Sequence, residues 1–181
     1  MSDERQRTVI GVALVTIAVG LGVAGFLASQ PRAAPRDAPE AGRVPEFELP
    51  RLQGGAVRLA DLRGKIVVID FWATWCPPCR AEMPWLVAMA KRYESRGVAF
   101  VAISEDDPPG QIPLVTEFAR QVPGLERFAV LGDPEIEARY GVTSLPTLFI
   151  VDREGRLVQR FRGATTEASV VGLIDRLVGP P

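Results

Sequence analysis

The strongest constraint on the fold of this chain is the run KIVVIDFWA at residues 65–73, which is apolar almost throughout. A run of this kind, rich in β-branched residues, is typical of a strand that is buried on both faces. Such a strand needs a packed layer on each side of its sheet. The rest of the sequence alternates similar runs with helical patterns, so we expect an α/β fold made of layers.

The patterns around this run supply those layers. FELP and AVRL flank Gly54 and Gly55 and predict a short hairpin that opens the domain. VAFVAIS predicts a second buried strand, FAVLGD a third, and PTLFIVD with RLVQRFRG a later hairpin. Helices are predicted in four segments: CRAEMPWLVAMAKRYESRG, which ends at Gly97; IPLVTEFARQV; PEIEARYG, which opens at Asp133-Pro134; and TEASVVGLIDRLVG.

Residues 8–28 form an apolar segment without a charged side chain. At about 1.5 Å per residue, a helix of this length can cross the roughly 30 Å hydrocarbon layer of a membrane. The apolar part of a cleaved signal peptide is usually only about 7–15 residues long, so we prefer a retained signal anchor to a cleaved signal peptide. Arginines lie on both sides of the segment and do not fix its orientation.

Residues 29–43 contain three prolines and almost no large apolar side chain. A segment of this composition cannot bury enough surface to offset the entropy lost on ordering, so it predicts a semi-extended tether. The folded domain is therefore predicted to cover residues 44–181.

Composition excludes several classes of function. The chain has no histidine, so histidine general bases, serine–histidine–aspartate triads and histidine metal ligands are impossible. The net charge is −1 and the basic residues are scattered, a pattern that does not favour a nucleic-acid surface. We therefore expect no nucleic-acid partner.

The only two cysteines, Cys76 and Cys79, are separated by two prolines. Three interpretations compete: a structural disulfide, half of a metal site, and a redox-active pair. A structural zinc needs four ligands, and c-type haem attachment needs a histidine where this chain has Arg80. A zinc site completed by carboxylates or by a second copy remains open. A structural disulfide that closes so small a loop would stabilise the domain little.

The redox interpretation explains the position of the pair as well as its spacing. Cys76 falls where a strand gives way to the start of a helix, and unpaired backbone N–H groups and the helix dipole stabilise a thiolate there. Only the thiolate attacks a disulfide. The spacing places Cys79 one helical turn further on, where it can attack a mixed disulfide formed by Cys76.

Two segments, FWATWCPPCRAEMPWL and GVTSLPTLFIVDREGRL, resemble the thioredoxin superfamily, and specifically its membrane-anchored TlpA/ResA-like branch. The resemblance covers about residues 44–178. It implies a thioredoxin-like fold, with a central mixed sheet flanked by helices and an N-terminal β-hairpin extension. It also implies one transmembrane helix that anchors an extracytoplasmic domain in a bacterial cell membrane. Residues 1–7 would then be cytoplasmic and the catalytic domain periplasmic.

The resemblance also assigns roles to particular residues. Cys76 matches the exposed nucleophile and Cys79 the buried resolving thiol, with no cofactor beyond this redox-active pair. Pro146 matches the cis-proline that faces the cysteines. The backbone of Leu145 would then be free to pair with an incoming peptide like an added strand. Trp75 and Pro77 are expected to shape the same client-binding surface.

Acidic residues near the pair are further candidates. Asp70 occupies a strand position that is often asparagine in this branch but is aspartate in cytosolic thioredoxins, where it moves a proton to and from the resolving cysteine. A carboxyl group in an apolar strand should have a raised pKa, although a strand-capping role stays open. The branch also carries an acidic residue after the second buried strand. Here it falls among Glu105, Asp106 and Asp107, with Glu105 as the candidate modulator and a solvated loop expected for two of the three.

The function implied is a thiol–disulfide oxidoreductase that reduces disulfides in selected envelope proteins. Family clients are often apocytochromes c or copper-site assembly proteins, and the expected electron source is a membrane protein of the thiol-reducing type. Two alternatives are a peroxiredoxin-type thiol peroxidase and a copper metallochaperone. The first expects a threonine three residues before the cysteine, whereas Thr74 lies two before Cys76; the second lacks a histidine or methionine that completes the site.

Overall fold

A computed structural model describes residues 42–180, and its centre is a five-stranded sheet. The run at residues 65–73 forms the middle strand, β3, and every residue of that strand is buried, as predicted. The strand order is β5-β4-β3-β6-β7. The strands of this sheet are β3 (Ile66–Trp72), β4 (Val98–Ser104), β5 (Ala129–Leu131), β6 (Thr147–Val151) and β7 (Leu157–Arg162).

The sheet is mixed, because β4 and β5 run parallel to β3 whereas β6 pairs antiparallel with both β3 and β7. The carboxyl ends of the three parallel strands therefore lie along one edge of the sheet. The start of β6 lies at the same edge, since Thr147 is opposite Phe71. Every segment that follows β3, β4 and β5, or precedes β6, meets at this edge.

Four α-helices complete the domain, and all four were predicted. The side chains of Cys76, Asp133 and Thr166 accept backbone N–H groups at three of the helix starts. The first helix ends at Tyr93, before its predicted end at Gly97. Gly97, with φ of 80°, instead ends the 3-10 turn that follows this helix and leads into β4. The helices are α1 (Pro77–Tyr93), α2 (Gln111–Gln121), α3 (Pro134–Tyr140) and α4 (Glu167–Val178). Short 3-10 turns, which the sequence patterns did not predict, cover Leu59–Leu62, Glu94–Arg96 and Leu125–Arg127.

Alternate side chains of β3 enter two separate hydrophobic layers. Val68 and Trp72 face the layer formed with α1, α2 and α4, and this layer contains both cysteines. Ile69 and Phe71 face the other layer, which includes α3 and the N-terminal hairpin. Since successive side chains of a strand alternate between its faces, Asp70 lies on the cysteine side of the sheet.

The predicted N-terminal hairpin is present as β1 (Glu48–Pro50) and β2 (Ala56–Arg58). The chain before it is also tied to the sheet. The N–H of Leu157 donates to the carbonyl of Gly42 at 3.1 Å, and Arg43 forms a β-bridge with Arg156. Backbone pairing therefore begins two residues before the predicted start of the domain at Val44.

The predicted anchor at 8–28 and nearly all of the tether lie outside the residues that the structure describes. Within 42–180, no helix combines the length and the apolar character needed to cross a bilayer. The thioredoxin-like α/β fold and its hairpin extension are thus observed, while the transmembrane helix stays a prediction.

Truncation should locate the true start of the folded domain. A chain that begins at Gly42 should unfold cooperatively in urea. A chain that begins at Glu48 lacks the buried side chains of Val44 and Phe47, so its free energy of unfolding should be lower by about 3–5 kcal/mol. Equal stabilities of the two chains would mean that residues 42–47 are not part of the domain.

Candidate active site

Cys76 and Cys79 are joined by a disulfide at the start of α1, with their Cα atoms 5.3 Å apart. Cys76 is the N-cap of the helix, and its Sγ accepts the N–H of Cys79 at 3.3 Å. Pro77 and Pro78 have no N–H group, so the amide of Cys79 is the first backbone donor of the helix. The sequence prediction that Cys76 lies at a helix N-terminus is therefore confirmed.

The two cysteines differ only slightly in the fraction of each residue that is exposed to solvent. Cys76 is 4% exposed and Cys79 1%. The expected burial of Cys79 is observed, whereas the expected exposure of Cys76 is wrong in this oxidised state, because both cysteines belong to the buried layer packed around α1. Trp75 is 64% exposed and Pro77 is also exposed, whereas Trp72 is fully buried and packs on the ring of Phe118. Of Trp72 and Trp75, only Trp75 is available to a partner.

The loop that leads from β3 to Cys76 is held by Asp106. Its carboxylate accepts the backbone N–H of Thr74 at 3.0 and 3.2 Å and the hydroxyl of Thr74 at 2.5 Å. It also accepts the hydroxyl of Ser104 at 2.8 Å. These bonds join the end of β4 to a residue two positions before the cysteine. Asp106 therefore fixes the place where the disulfide is presented.

Asp70 is 1% exposed, and its Oδ1 has no hydrogen-bond partner among the described residues. Burial, and to a smaller extent the negative charge of Glu82, together raise the pKa of this carboxyl from 3.8 to about 8. The predicted raised pKa is thus confirmed, with desolvation as its main cause. Asp70 lies on the face of β3 that packs against the layer containing Cys79.

Glu82 is a second buried acid near the pair, and the sequence analysis did not identify it. It follows Cys79 by three residues on α1, and its carboxylate accepts the N–H of Thr165. Burial raises its pKa, and the bond from Thr165 lowers it in part. On α1, Glu82 lies on the same helix face as the buried Cys79 and Met83. A glutamate on an otherwise apolar helix face is the sequence signal that could have identified it.

Leu145 and Pro146 lie next to the cysteine loop. The peptide bond between them is cis, as predicted. Because Thr147 is opposite Phe71, Pro146 lies beside the end of β3, from which the chain continues into the cysteine loop. Pro146 is buried and Leu145 is partly buried, packing against both hydrophobic layers.

The three acids after β4 have three different environments. Asp106 is the buried loop clamp, and Asp107 is exposed. Glu105 is 9% exposed, and both of its carboxylate oxygens are buried without a hydrogen-bond partner among the described residues. The expectation that two of the three are solvated is therefore wrong, because the end of β4 turns two of them into the protein. Within residues 42–180, no three acidic or cysteine side chains are close enough together to hold a metal ion.

Comparison with known proteins identifies the family. The model of the AhpC/TSA family matches residues 41–160. The chain belongs to the AhpC/TSA family. Proteins with similar sequences include the thiol-disulfide oxidoreductase ResA of Bacillus thuringiensis subsp. konkukian, which is 31% identical over 165 residues that cover 91% of this chain and 94% of ResA. ResA of Bacillus subtilis is 33% identical over 132 residues, or 72% of each chain.

A solved structure gives the same assignment. The crystal structure of a candidate thiol:disulfide interchange protein DsbE from Chlorobium tepidum superimposes with a TM-score of 0.68 and 32% sequence identity, covering 77% of this chain and 97% of that one. The predicted membership in the thioredoxin superfamily, as a TlpA/ResA-like protein, is confirmed. This AhpC/TSA-family chain is a thiol–disulfide oxidoreductase.

Replacing Asp106 should test the clamp on the cysteine loop. Asp106→Asn loses a buried charge that accepts three donors, so the free energy of unfolding should fall by about 2–3 kcal/mol. Asp107→Asn is the matched control, because Asp107 is exposed and its replacement should change stability by less than about 0.5 kcal/mol. Urea unfolding of the oxidised proteins measures both. Equal effects would mean that the bonds to Thr74 add no stability.

Proposed function

We propose that the reduced protein acts as a reductase of disulfides in envelope proteins, with Cys76 as nucleophile and Cys79 as resolving thiol. One observation carries this proposal: the Cys76–Cys79 disulfide lies at the start of α1, with the buried carboxyl of Asp70 on the strand face behind it.

The reaction proceeds in two exchanges. The thiolate of Cys76 attacks one sulfur of the client disulfide, forms a mixed disulfide and releases the other client sulfur as a thiolate. Cys79 loses its proton and attacks Cys76, which restores the Cys76–Cys79 disulfide and releases the second client sulfur. Two electrons pass to the client, and each of its sulfurs finally takes up a proton.

Asp70 acts in the second exchange. A buried thiol loses its proton reluctantly because its charged form is poorly solvated. With a pKa near 8, Asp70 can accept that proton close to neutral pH. Glu82 modulates this step because its negative charge opposes the ionisation of Asp70.

The direction of transfer and the partners follow from the family resemblance. The pair contains no histidine between its cysteines to stabilise the thiolate further, so a reductant is favoured over a strong oxidant. The clients are envelope proteins in cytochrome c maturation or copper-site assembly. Electrons come from a membrane protein of the thiol-reducing type. Residues 8–28 anchor the chain, with residues 1–7 in the cytoplasm and the catalytic domain in the periplasm.

The thiol peroxidase and the copper metallochaperone differ from this reductase in measurable ways. Thr74 is the threonine whose sequence position is most similar to that of the peroxidase threonine. Its hydroxyl donates to Asp106 and is therefore part of the bonds that hold the cysteine loop. A peroxidase would oxidise its thiols with hydrogen peroxide in multiple turnovers. A metallochaperone would bind one Cu(I) ion per reduced pair with high affinity.

Replacing each cysteine should separate their roles. Cys76→Ala should abolish the reduction of insulin disulfides, because the attacking thiolate is lost. Cys79→Ala should still attack but remain attached to its client, so mixed disulfides should accumulate on non-reducing gels. The double variant is the control and should form no adduct. Wild-type turnover by Cys79→Ala would contradict the assigned roles.

Asp70→Asn should change stability and rate in different pH ranges. Between about pH 4 and 8 the unfolded chain has released the proton of Asp70, whereas the folded chain still holds it. Raising the pH through this window therefore favours unfolding, at a total cost on the order of 5 kcal/mol. The asparagine variant does not lose stability in this way. Its free energy of unfolding should therefore exceed that of wild type by an amount that grows from pH 4 to 8. Urea unfolding across this range measures it.

The rate of the second exchange tests whether Asp70 accepts the proton of Cys79. In wild type the rate should rise through about pH 8, as Asp70 becomes able to accept a proton. In Asp70→Asn this rise should move to higher pH, where Cys79 ionises unaided, and the two rates should converge there. Identical rate profiles would leave Asp70 with a structural role only.

A further inference from the structure

One stretch of the central sheet has an open edge. β5 pairs only with Ala102–Ser104, the last three residues of β4. Within residues 42–180, no strand pairs with residues 98–101 on that side, although β3 covers their other side. A strand edge that is left open in this way can accept an added strand through its N–H and C=O groups.

The backbone groups of this stretch point to the open side. The N–H of Ala102 donates to the carbonyl of Phe128 at 3.0 Å, so Ala102 directs its backbone groups to the β5 side. Because these groups alternate in direction along a strand, those of Val98 and Phe100 point to the same side. Phe128 does not extend the pairing to them, since its own N–H donates to the carbonyl of Leu125 at 2.9 Å.

A cavity of about 280 Å³ lies along this edge, and we call it the β4 groove. Val57 and Leu62 line it from one hydrophobic layer, and Ala90 and Phe128 line it from the other. Residues of both layers meet there because the groove lies at the rim of the sheet. Residues 98–101 span about 13 Å at about 3.3 Å per residue, so the groove suits a short extended segment.

The lining of the β4 groove is also basic. Arg51, Lys65 and Arg127 contribute positive charges, and Glu94 is the one acid of the lining. Arg127 is paired with Glu94 at 3.1 Å. Within residues 42–180, neither Arg51 nor Lys65 forms a salt bridge, and Arg51 donates to the backbone carbonyls of Ala56 and Arg127. Two positive charges of the groove therefore have no carboxylate partner in the described part of the chain.

Charge and backbone chemistry select the occupant. A second copy that paired through the same edge would bring Arg51 and Lys65 of both chains together, and like charges on paired strands are destabilising. Residues 29–43 of the chain itself carry three arginines against two acids, and their three prolines lack the N–H that a strand ladder needs. An extended segment rich in aspartate or glutamate, on another protein, complements both the charge and the open edge.

We propose that the β4 groove binds an extended acidic segment of a partner protein, which joins the sheet as a strand beside residues 98–101. Arg51 and Lys65 pair with carboxylates of that segment. The groove lies at the amino end of β4, whereas the cysteine loop follows the carboxyl end of the neighbouring β3. Along the seven residues of β4, at about 3.3 Å each, these two ends are roughly 20 Å apart. The partner therefore stays bound while the cysteines react.

Two labelled peptides test the charge preference: Glu-Val-Glu-Val-Glu-Val and Lys-Val-Lys-Val-Lys-Val. The oxidised full chain in mild detergent is titrated into each, and fluorescence anisotropy gives the Kd. The acidic peptide should bind at least about ten-fold more tightly than the basic one. Lys65→Gln should weaken binding of the acidic peptide by about three- to five-fold, because one surface ion pair is lost. Arg176→Gln is the charge-matched control, since Arg176 is exposed on α4 outside the lining of the groove, and should leave the Kd unchanged.

Two N-methylated forms of the acidic peptide test the strand pairing. Methylation of every glutamate N–H removes the donors along one edge of the peptide, and methylation of every valine N–H removes those along the other. A strand beside β4 uses only one of its edges, so one methylated form should bind at least about ten-fold more weakly than the other.

Several results would overturn the proposal. They are no binding of the acidic peptide, equal affinities of the acidic and basic peptides, equal affinities of the two methylated forms, and equal effects of Lys65→Gln and Arg176→Gln. Sedimentation of the wild-type chain provides a further check. Self-association that the acidic peptide reverses would identify a second copy as the occupant and would also overturn the proposal.

Discussion

Burial of β3 on both faces is the constraint on which the rest of the structure depends. A strand with no exposed residue must be covered on each side, and the helices and the N-terminal hairpin provide that cover. Because β3 is central, the loop that follows it emerges at the middle of the sheet edge. Cys76 therefore lies where β4, β5 and β6 also bring their adjoining segments, and the site draws on all of them.

The same burial gives the site its unusual acids. Asp70 is part of the apolar strand, so water cannot solvate its carboxylate, and Glu82 adds a second buried acid nearby. The negative charge of Glu82 makes ionisation of Asp70 still less favourable. Both acids lower the stability of the domain near neutral pH, a cost that a purely structural core would avoid. This arrangement is consistent with a site that must move a proton away from solvent.

The sequence predicted the order of elements because each depends on local pattern. The buried runs, the glycines at turns and the capping residues Asp133 and Thr166 all act within a few residues of their own positions. The roles of Asp106 and Glu105 could not be predicted in this way. They are neighbours of identical charge, and only the turn at the end of β4 directs one to Thr74 and leaves the other without a partner.

The two prolines between the cysteines have a consequence for the energetics of the redox couple. A helix normally begins with several free amides, but here a single amide, that of Cys79, reaches the sulfur of Cys76. Negative charge on that sulfur is therefore less stabilised than at a helix start without prolines. A dithiol whose thiolate is poorly stabilised loses electrons more readily, since oxidation removes the unfavourable charge. The CPPC turn thus leaves the thiolate of the reduced protein less stabilised, which supports the proposed direction of electron transfer.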